Sequence, residues 1–406
     1  MTDAFPATRA HGLEIMRAFI PRMGRRYADG RNYDHGPGQH HAVSMLSPYI
    51  RRGLVTEEEL VRVALAAHGA DAAEKLIEEV IWRGYFKGWL ERRPSVWTSY
   101  VTGLSDDLAA LERDRRLARR VEQAETGRTG IECFDAWARE LVDTGYLHNH
   151  ARMWFASIWI FTLDLPWRVG ADFFYRHLLD GDAASNTLGW RWVAGLHTRG
   201  KPYAADAQNI ATYTARRFQP RSTDLAEVVE GLEVQEPDGL PPVQPLRSIE
   251  QPEPATPSLL LVSDEDCMID PQNIAALDIG ATVSLTTSHL RSPRPVCDHV
   301  ARFEAGALDD TVTRLGLTAT RMDAGHPEDL VRVALKQNLH QIVTPYVTRG
   351  PFQDWLEKAR PLLVANGIRF SEWRRPWDEM IWPHATAGFF KVKKQIPHIL
   401  RTLDRS

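Results

Sequence analysis

The sequence predicts two kinds of fold in one chain: mainly α first, then α/β with a doubly wound parallel sheet. Three observations carry this. Up to about Gln219 apolar residues recur at helical spacing with almost no strand signal. From Leu259 onward, short apolar runs alternate with helical stretches. Between them, from Pro237 to Pro257, seven prolines stand among acids and Gln, a composition that favours an extended linker. The expected division is 1–231 helical, 232–257 linker and 258–406 α/β.

Local signals place the elements. Ser47-Pro48 pairs an N-cap with Pro at the first helical position. Thr56, with Glu59 three places on, forms a capping box before an apolar-periodic helix through Ala66. Residues 71–90, 131–147 and 149–163 continue the helical period. Strands are expected at Leu259–Val262, Thr282–Thr286, Thr318–Met322, Gln341–Pro345 and Gly367–Ser371. Helices near 297–315, 326–339 and 350–366 alternate with the later ones. This is a Rossmann-like order, yet no G-x-G-x-x-G follows the first strand, so an ordinary dinucleotide site is not supported.

Composition narrows the class. At 406 residues the chain has room for two or three domains, and its net charge of −4 is no footprint of a strongly basic nucleic-acid binder. Cys133, Cys267 and Cys297 lie far apart, without disulfide or zinc spacing. No signal peptide opens the chain and no apolar run reaches the roughly 18 residues of a membrane span, so a cytoplasmic, reducing setting is expected. Thirteen Trp, several between Trp154 and Trp192, supply either core volume or an electron path.

One stretch, LLDGDAASNTLGWRW (Leu178–Trp192), sets two acids and an Asn between apolar flanks. Buried acids need partners. Candidates precede it: Tyr27 and Arg31, VSMLSPYIRRG (Val43–Gly53), EVIWRGYF (Glu79–Phe86) and TGYLHNHARM (Thr144–Met153). Together and in this order they resemble the FAD-binding helical domain of the photolyase/cryptochrome family. The resemblance covers Tyr27 to Val193 and is ungapped from Thr129.

The resemblance implies a U-shaped FAD among the helices. Tyr27, Ser44, Met45, Leu46 and Ser47 would hold it, the hydroxyls and backbone N–H groups of Ser44, Leu46 and Ser47 meeting the pyrophosphate. Arg83 would add positive charge, Arg152 and Asp180 an ion pair against the ring, and Asp182 an acceptor, with Asn149 nearby. Asn186 would face flavin N5, where the family's plant receptors carry Asp. Trp190 and Trp167 correspond to the inner and middle tryptophans of the family's electron relay. Asp114 stands where the outer one belongs, leaving Trp154 or Trp159 as other exits.

Glu79, Trp82, Asn149, Met153 and Trp192 match positions that hold a cyclobutane pyrimidine dimer in repairing members. Two Trp faces sandwich a flipped dinucleotide, and the acid bonds a base carbonyl. Some positions depart from the family. His150 replaces an Arg that contacts DNA phosphate, Gly84 replaces the acid of the WREF motif, and AADAQNI after Tyr203 lacks a further phosphate-binding Arg. Arg51, Arg52, Arg92, Arg93, Arg115, Arg116, Arg119 and Arg120 offer basic charge, but most of them read as solvated helix surface. DHGPGQHH (Asp34–His41) and His148 lack an acid or Cys at ligand spacing, so no metal is expected.

In the family an α/β antenna domain precedes the helical one. Here the α/β unit follows the linker, ending in IWPHATAGFFKVKKQIPHIL, which is similar to the end of that antenna domain. The expectation is a photolyase-like chain with its domains in swapped order (a circular permutation), or else an unrelated α/β partner fused by the linker. A second light-harvesting chromophore of unknown identity would accompany FAD. The implied activity is light-dependent repair of cyclobutane dimers in UV-damaged DNA by an electron lent from excited reduced FAD. The alternative is a cryptochrome-like blue-light sensor without repair activity, and the third reading a light-independent flavin oxidoreductase.

Overall fold

The structure is a computed structural model in which residues 5–403 are described. The first half is helical: α1 (Arg9–Phe19), α2 (Arg25–Gly30), α3 (Ser47–Arg51), α4 (Glu57–Glu91), α5 (Pro94–Arg113), α6 (Arg115–Glu125), α7 (Glu132–Thr144), α8 (Asn149–Ser157), α9 (Trp167–His177), α10 (Ala183–Val193) and α11 (Ala207–Tyr213). The expected capping box is present on Thr56 and Glu59. Residues 57–68 and 70–91 are two helical runs joined at Gly69, whose φ of +73° breaks the helix without a Cβ penalty. α8 runs on into a π-helical turn, Ile158–Thr162, that carries Trp159.

The second half holds β1 (Ser258–Ser263), β2 (Ile279–Thr286), β3 (Thr320–Asp323), β4 (Gln341–Pro345) and β5 (Arg369–Trp373). All pairs are parallel, in the order β3-β2-β1-β4-β5. Its helices are α12 (Pro271–Ala275), α13 (Asp298–Arg314), α14 (Pro327–Lys336), α15 (Pro351–Ala365), α16 (Pro376–Ile381), α17 (Phe390–Lys393) and α18 (Ile396–Leu403). β1 is apolar on both faces because both are covered. Leu259 and Leu261 pack toward the layer holding Leu330, Phe352 and Leu356, whereas Leu260 and Val262 pack with Ile269 and Leu308.

Residues of both halves meet in one buried cluster. Tyr346, Trp377, Ile381, Trp382 and Phe389 belong to the same buried cluster as the helical half's tryptophans. Two glycines of α4 permit this approach. A Cβ on Gly84 would lie 3.0 Å from Ile381, and one on Gly88 2.9 Å from the Trp382 backbone. Gly84, which replaces the acid of the WREF motif, lies under Ile381 of α16. The linker has no regular structure from Glu236 to Pro257 but is tied to the helical half: Glu236 pairs with Arg191, and Gln244 and Pro241 accept from Arg92 and Arg93.

Arg51, Arg52 and Arg93 correct the expectation of solvated surface, since all three are buried. Arg51 donates to the Asp264 carbonyl at 3.0 Å and to the Glu265 carboxylate at 2.7 Å, and Arg52 lies 3.3 Å from the Asp264 carboxylate. Asp264 and Glu265 follow β1 at the carboxyl edge, beside the point where strand order reverses. Arg115, Arg116 and Arg119 are exposed as expected.

Candidate functional site

A cavity of about 550 Å³ opens between α4, α8, α10 and the loop before α3. Its floor is the stretch with the paired acids. Asp182 caps α10, accepting from Ser185 N at 2.8 Å, and lies 3.3 Å from Arg83 Nη2. Burial pushes the Asp182 carboxyl up, but Arg83, Lys87 and Arg51 outweigh it and hold it well below its ordinary value. Asp180 accepts from Arg152 Nη2 at 2.8 Å, while Arg152 Nε donates to Leu147 O at 2.8 Å. Burial again opposes ionisation, and Arg152 with the Ser47 hydroxyl lowers the Asp180 carboxyl overall. Both acids therefore stand ionised.

Sequence reasoning missed what carries this floor. Arg51 Nε donates to Gly181 O at 2.8 Å, Arg52 Nη1 to Leu179 O, and Arg291 Nη1 to Leu178 O at 3.2 Å. Three carbonyls of one loop are thus held by guanidiniums that also meet acids of the α/β half. The RRG after SPYI was the available signal. An ion ladder leaves the cavity the same way: Asp182, Arg83, then Glu57 at 3.1 Å, then Arg375 at 3.4 Å, then Asp266.

The loop Val43–Ser47 forms one wall. Met45 has φ +54°, in the left-handed region, and Ser44 Oγ accepts from Leu46 N at 3.3 Å. Tyr27 lines the cavity beside it, with its hydroxyl pushed up by burial. Asn186 Nδ2 donates to Ala171 O at 2.8 Å, which leaves Oδ1 as the free acceptor of a cavity-lining amide. Trp190 also lines the cavity, set edge-on to Phe174 at 5.1 Å and to Trp159 at 6.2 Å.

These residues fit FAD. Arg83 and Arg152 supply cations, Leu60, Leu76, Val80 and Val193 supply apolar wall, and Asn186 supplies an acceptor. Asp180 Oδ1 and Trp190 Nε1 are buried without a hydrogen-bond partner. Orphaned polar atoms on a largely apolar cavity are what a polar ligand satisfies.

Glu79, Trp82, Asn149, Met153 and Trp192 line the same cavity. Glu79 is about half exposed, 3.7 Å from Arg31, and its carboxyl is raised because desolvation outweighs that Arg. Each Trp has an aromatic neighbour: Phe389 lies 4.0 Å from Trp82 and Tyr203 5.3 Å from Trp192, centroid to centroid. His150 is turned inward, stacked on Trp154 at 4.2 Å with Nδ1 donating to Asn32 O at 3.0 Å. His148 caps α8, accepting from His150 N.

Trp167 does not line the cavity. It is buried one layer out, and a Cβ on Gly170, one turn further along α9, would lie 2.4 Å from the Trp190 ring. Tyr100 lies 6.0 Å from Trp167 and Trp97 5.4 Å from Tyr100, with Trp97 Nε1 donating to Asp354. Asp114, at the position expected for an outer Trp, is the exposed N-cap of α6. Of the other exits, Trp159 touches Trp190, while Trp154 stacks on Trp137 at 5.5 Å.

Among the described residues no helix is long and apolar enough to cross a membrane. Residues 76–224 match the family described as the FAD binding domain of DNA photolyase. A deoxyribodipyrimidine photo-lyase of Streptomyces griseus is 34% identical over 56% of this chain and 48% of its own length. One from Thermus thermophilus is 35% identical over 46% of this chain and 43% of its own. One from Escherichia coli K12 is 28% identical over 50% of this chain and 42% of its own. The chain thus spans under half the length of these relatives. By these matches residues 76–224 of the helical half are similar to the FAD-binding domain of DNA photolyase.

Proposed function

We propose that the protein is a light-dependent photo-lyase that splits cyclobutane pyrimidine dimers in UV-damaged DNA, a carbon–carbon lyase with FAD as its cofactor. One observation carries the reading: Glu79, Trp82, Asn149, Met153 and Trp192 ring the same cavity that holds Asn186, Arg152 and Trp190. Bound reduced FAD would supply a photoexcited electron donor. The chain's residues do the rest. Arg83, Arg152, Asp182 and the loop Val43–Ser47 would hold the cofactor, and the Asn186 amide gives a hydrogen-bond acceptor that does not titrate. Trp82 and Trp192 offer stacking faces to a dinucleotide extruded from the duplex. The Glu79 carboxyl at the cavity's rim would hydrogen-bond a base edge.

In this reading the domains stand in swapped order, the α/β half takes the antenna position, and a second chromophore and a cytoplasmic setting go with it. The carboxyl edge of the sheet beside β1 is filled by Arg51 and Arg52, so such a chromophore would sit elsewhere. A cryptochrome-like sensor is favoured by one observation, the inward His150 where a phosphate-binding Arg would stand. The test is purified protein with a dimer-containing oligonucleotide, illuminated and kept dark. Dimer loss in light alone supports the lyase. No loss, with flavin bound and photoreducible, gives the site to the sensor.

A further inference from the structure

Two phosphate-binding positions are missing from the helical half, and His150 is tied inward. Whatever meets the DNA backbone must come from another part of the rim. The C-terminal segment reaches that rim. Phe389 lies 4.0 Å from Trp82 and 5.6 Å from Tyr85, yet does not itself line the cavity, so it backs the indole from outside. Lys393 Nζ lies 2.5 Å from the carboxylate of Glu78, the neighbour of the rim acid Glu79. Two contacts, one apolar and one ionic, therefore fix this segment against the α4 turn that carries the substrate-facing side chains.

The outer face of the segment has a different character. Phe390 is 74% exposed, far more than a Phe needs for packing. Lys391 and Lys394 follow it, both exposed. Lys391 donates only to the Thr386 hydroxyl, and Lys394 has no acid partner among the described residues. The nearby acids Glu74 and Glu78 are engaged by Lys75 and Lys393. What remains for a ligand is an exposed aromatic ring, 6.0 Å from Lys393 Nζ, and two nearby ammonium groups without an acid partner among the described residues. An anionic polymer with π-faces has that complementarity.

We infer that Phe390, Lys391 and Lys394 form a backbone clamp for the DNA strand beside the dimer, in place of the missing phosphate contacts. The inference rests on the repair reading above. The two lysines neutralise phosphates, and the Phe390 ring receives a base left unpaired when the dimer leaves the stack. The α/β half thereby takes part in substrate binding, through the segment that also braces Trp82.

The test uses the full chain and a fluorescein-labelled duplex, with and without one thymine dimer, titrated by anisotropy at several salt concentrations. Lys391→Ala with Lys394→Ala should weaken binding of both duplexes about tenfold or more and lower the log–log salt slope by about 2. Phe390→Ala should weaken binding about tenfold. The preference for the dimer should persist in the double-lysine variant, because Trp82 is untouched, and should narrow in Phe390→Ala, because only the dimer duplex offers the ring an unpaired base. Lys336→Ala on α14 is the control and should change neither quantity. Lesion-selective wild-type binding with an unchanged slope and affinity in the double-lysine variant overturns the clamp alone. Wild-type protein that binds neither duplex overturns the repair reading, and the clamp with it.

Discussion

Asp180→Ala is the sharpest test of the cavity floor. Among the described residues Asp180 Oδ2 is the only carboxylate oxygen bonded to Arg152, at 2.8 Å, and the Arg152 side chain is 24% exposed. Removing the acid leaves a largely desolvated guanidinium with the Leu147 carbonyl and the Tyr146 ring face, 5.7 Å away. Orphaning a buried partner costs about 3–5 kcal/mol, and the partial exposure of Arg152 places this case near 3. For a chain this long that is a fall in Tm of roughly 3–6 °C. Asp180→Asn keeps an acceptor in place and should lose less than half as much. The pH dependence has a definite sign. The folded carboxyl lies below its ordinary value, so its contribution is complete above the unfolded pKa and is lost as pH falls through the folded one. The gap between wild type and Asp180→Ala should therefore be full at pH 7 and close progressively below about pH 4. Thermal melts across that range, with flavin absorbance in parallel, measure both. Equal melting temperatures at pH 7 would refute the reasoning.

Asn186→Asp puts a titratable acid where a fixed acceptor stands; it should shift the photoreduction of bound flavin and lower any repair, and identical spectra in both proteins would contradict the Asn186 placement. Gly88→Val drives a side chain into the Trp382 backbone, so it should expose Trp382 and redshift tryptophan fluorescence, whereas Gly130→Ala, in open space but at φ +87°, should cost only local strain. Asp378 is pushed up to about 7 by burial, so its ionisation costs stability from the ordinary carboxyl value up to that pH; Asp378→Asn should raise Tm at pH 8 and leave it unchanged near pH 4. Protease cleavage within residues 248–257 should leave both pieces co-eluting on gel filtration with flavin retained, because residues of both halves meet in one buried cluster.

The elements were legible where local chemistry dominates. The box at Thr56 and the strand Gln341–Pro345 fall where the sequence places them, because a cap and a two-faced apolar run are local signals. The cavity residues were legible only as a resemblance; no periodicity links Tyr27, Arg83 and Asp182. Contacts made across the two halves were hidden. Arg51 and Arg52 look like solvated helix residues because their partners, Asp264 and Glu265, lie over 200 positions away. Gly84 looks like a lost acid until Ile381 is seen against it. Phe389 and Lys393 gave no sign of reaching Trp82 and Glu78, since a segment's docking depends on the whole intervening fold.

The guanidiniums at the carboxyl edge of the sheet have a consequence for how this lineage can change. In open α/β folds the crevice where strand order reverses is where new ligands are ordinarily acquired, since loops there vary without disturbing the sheet. Here Arg51 fills space beside β1 and at the same time holds the carbonyl between Asp180 and Asp182. A substitution that cleared the crevice for a newcomer would loosen the cavity floor in the same stroke. Selection on one half is therefore paid in the other, and novelty in the α/β half is steered away from its most evolvable corner toward its outer helices.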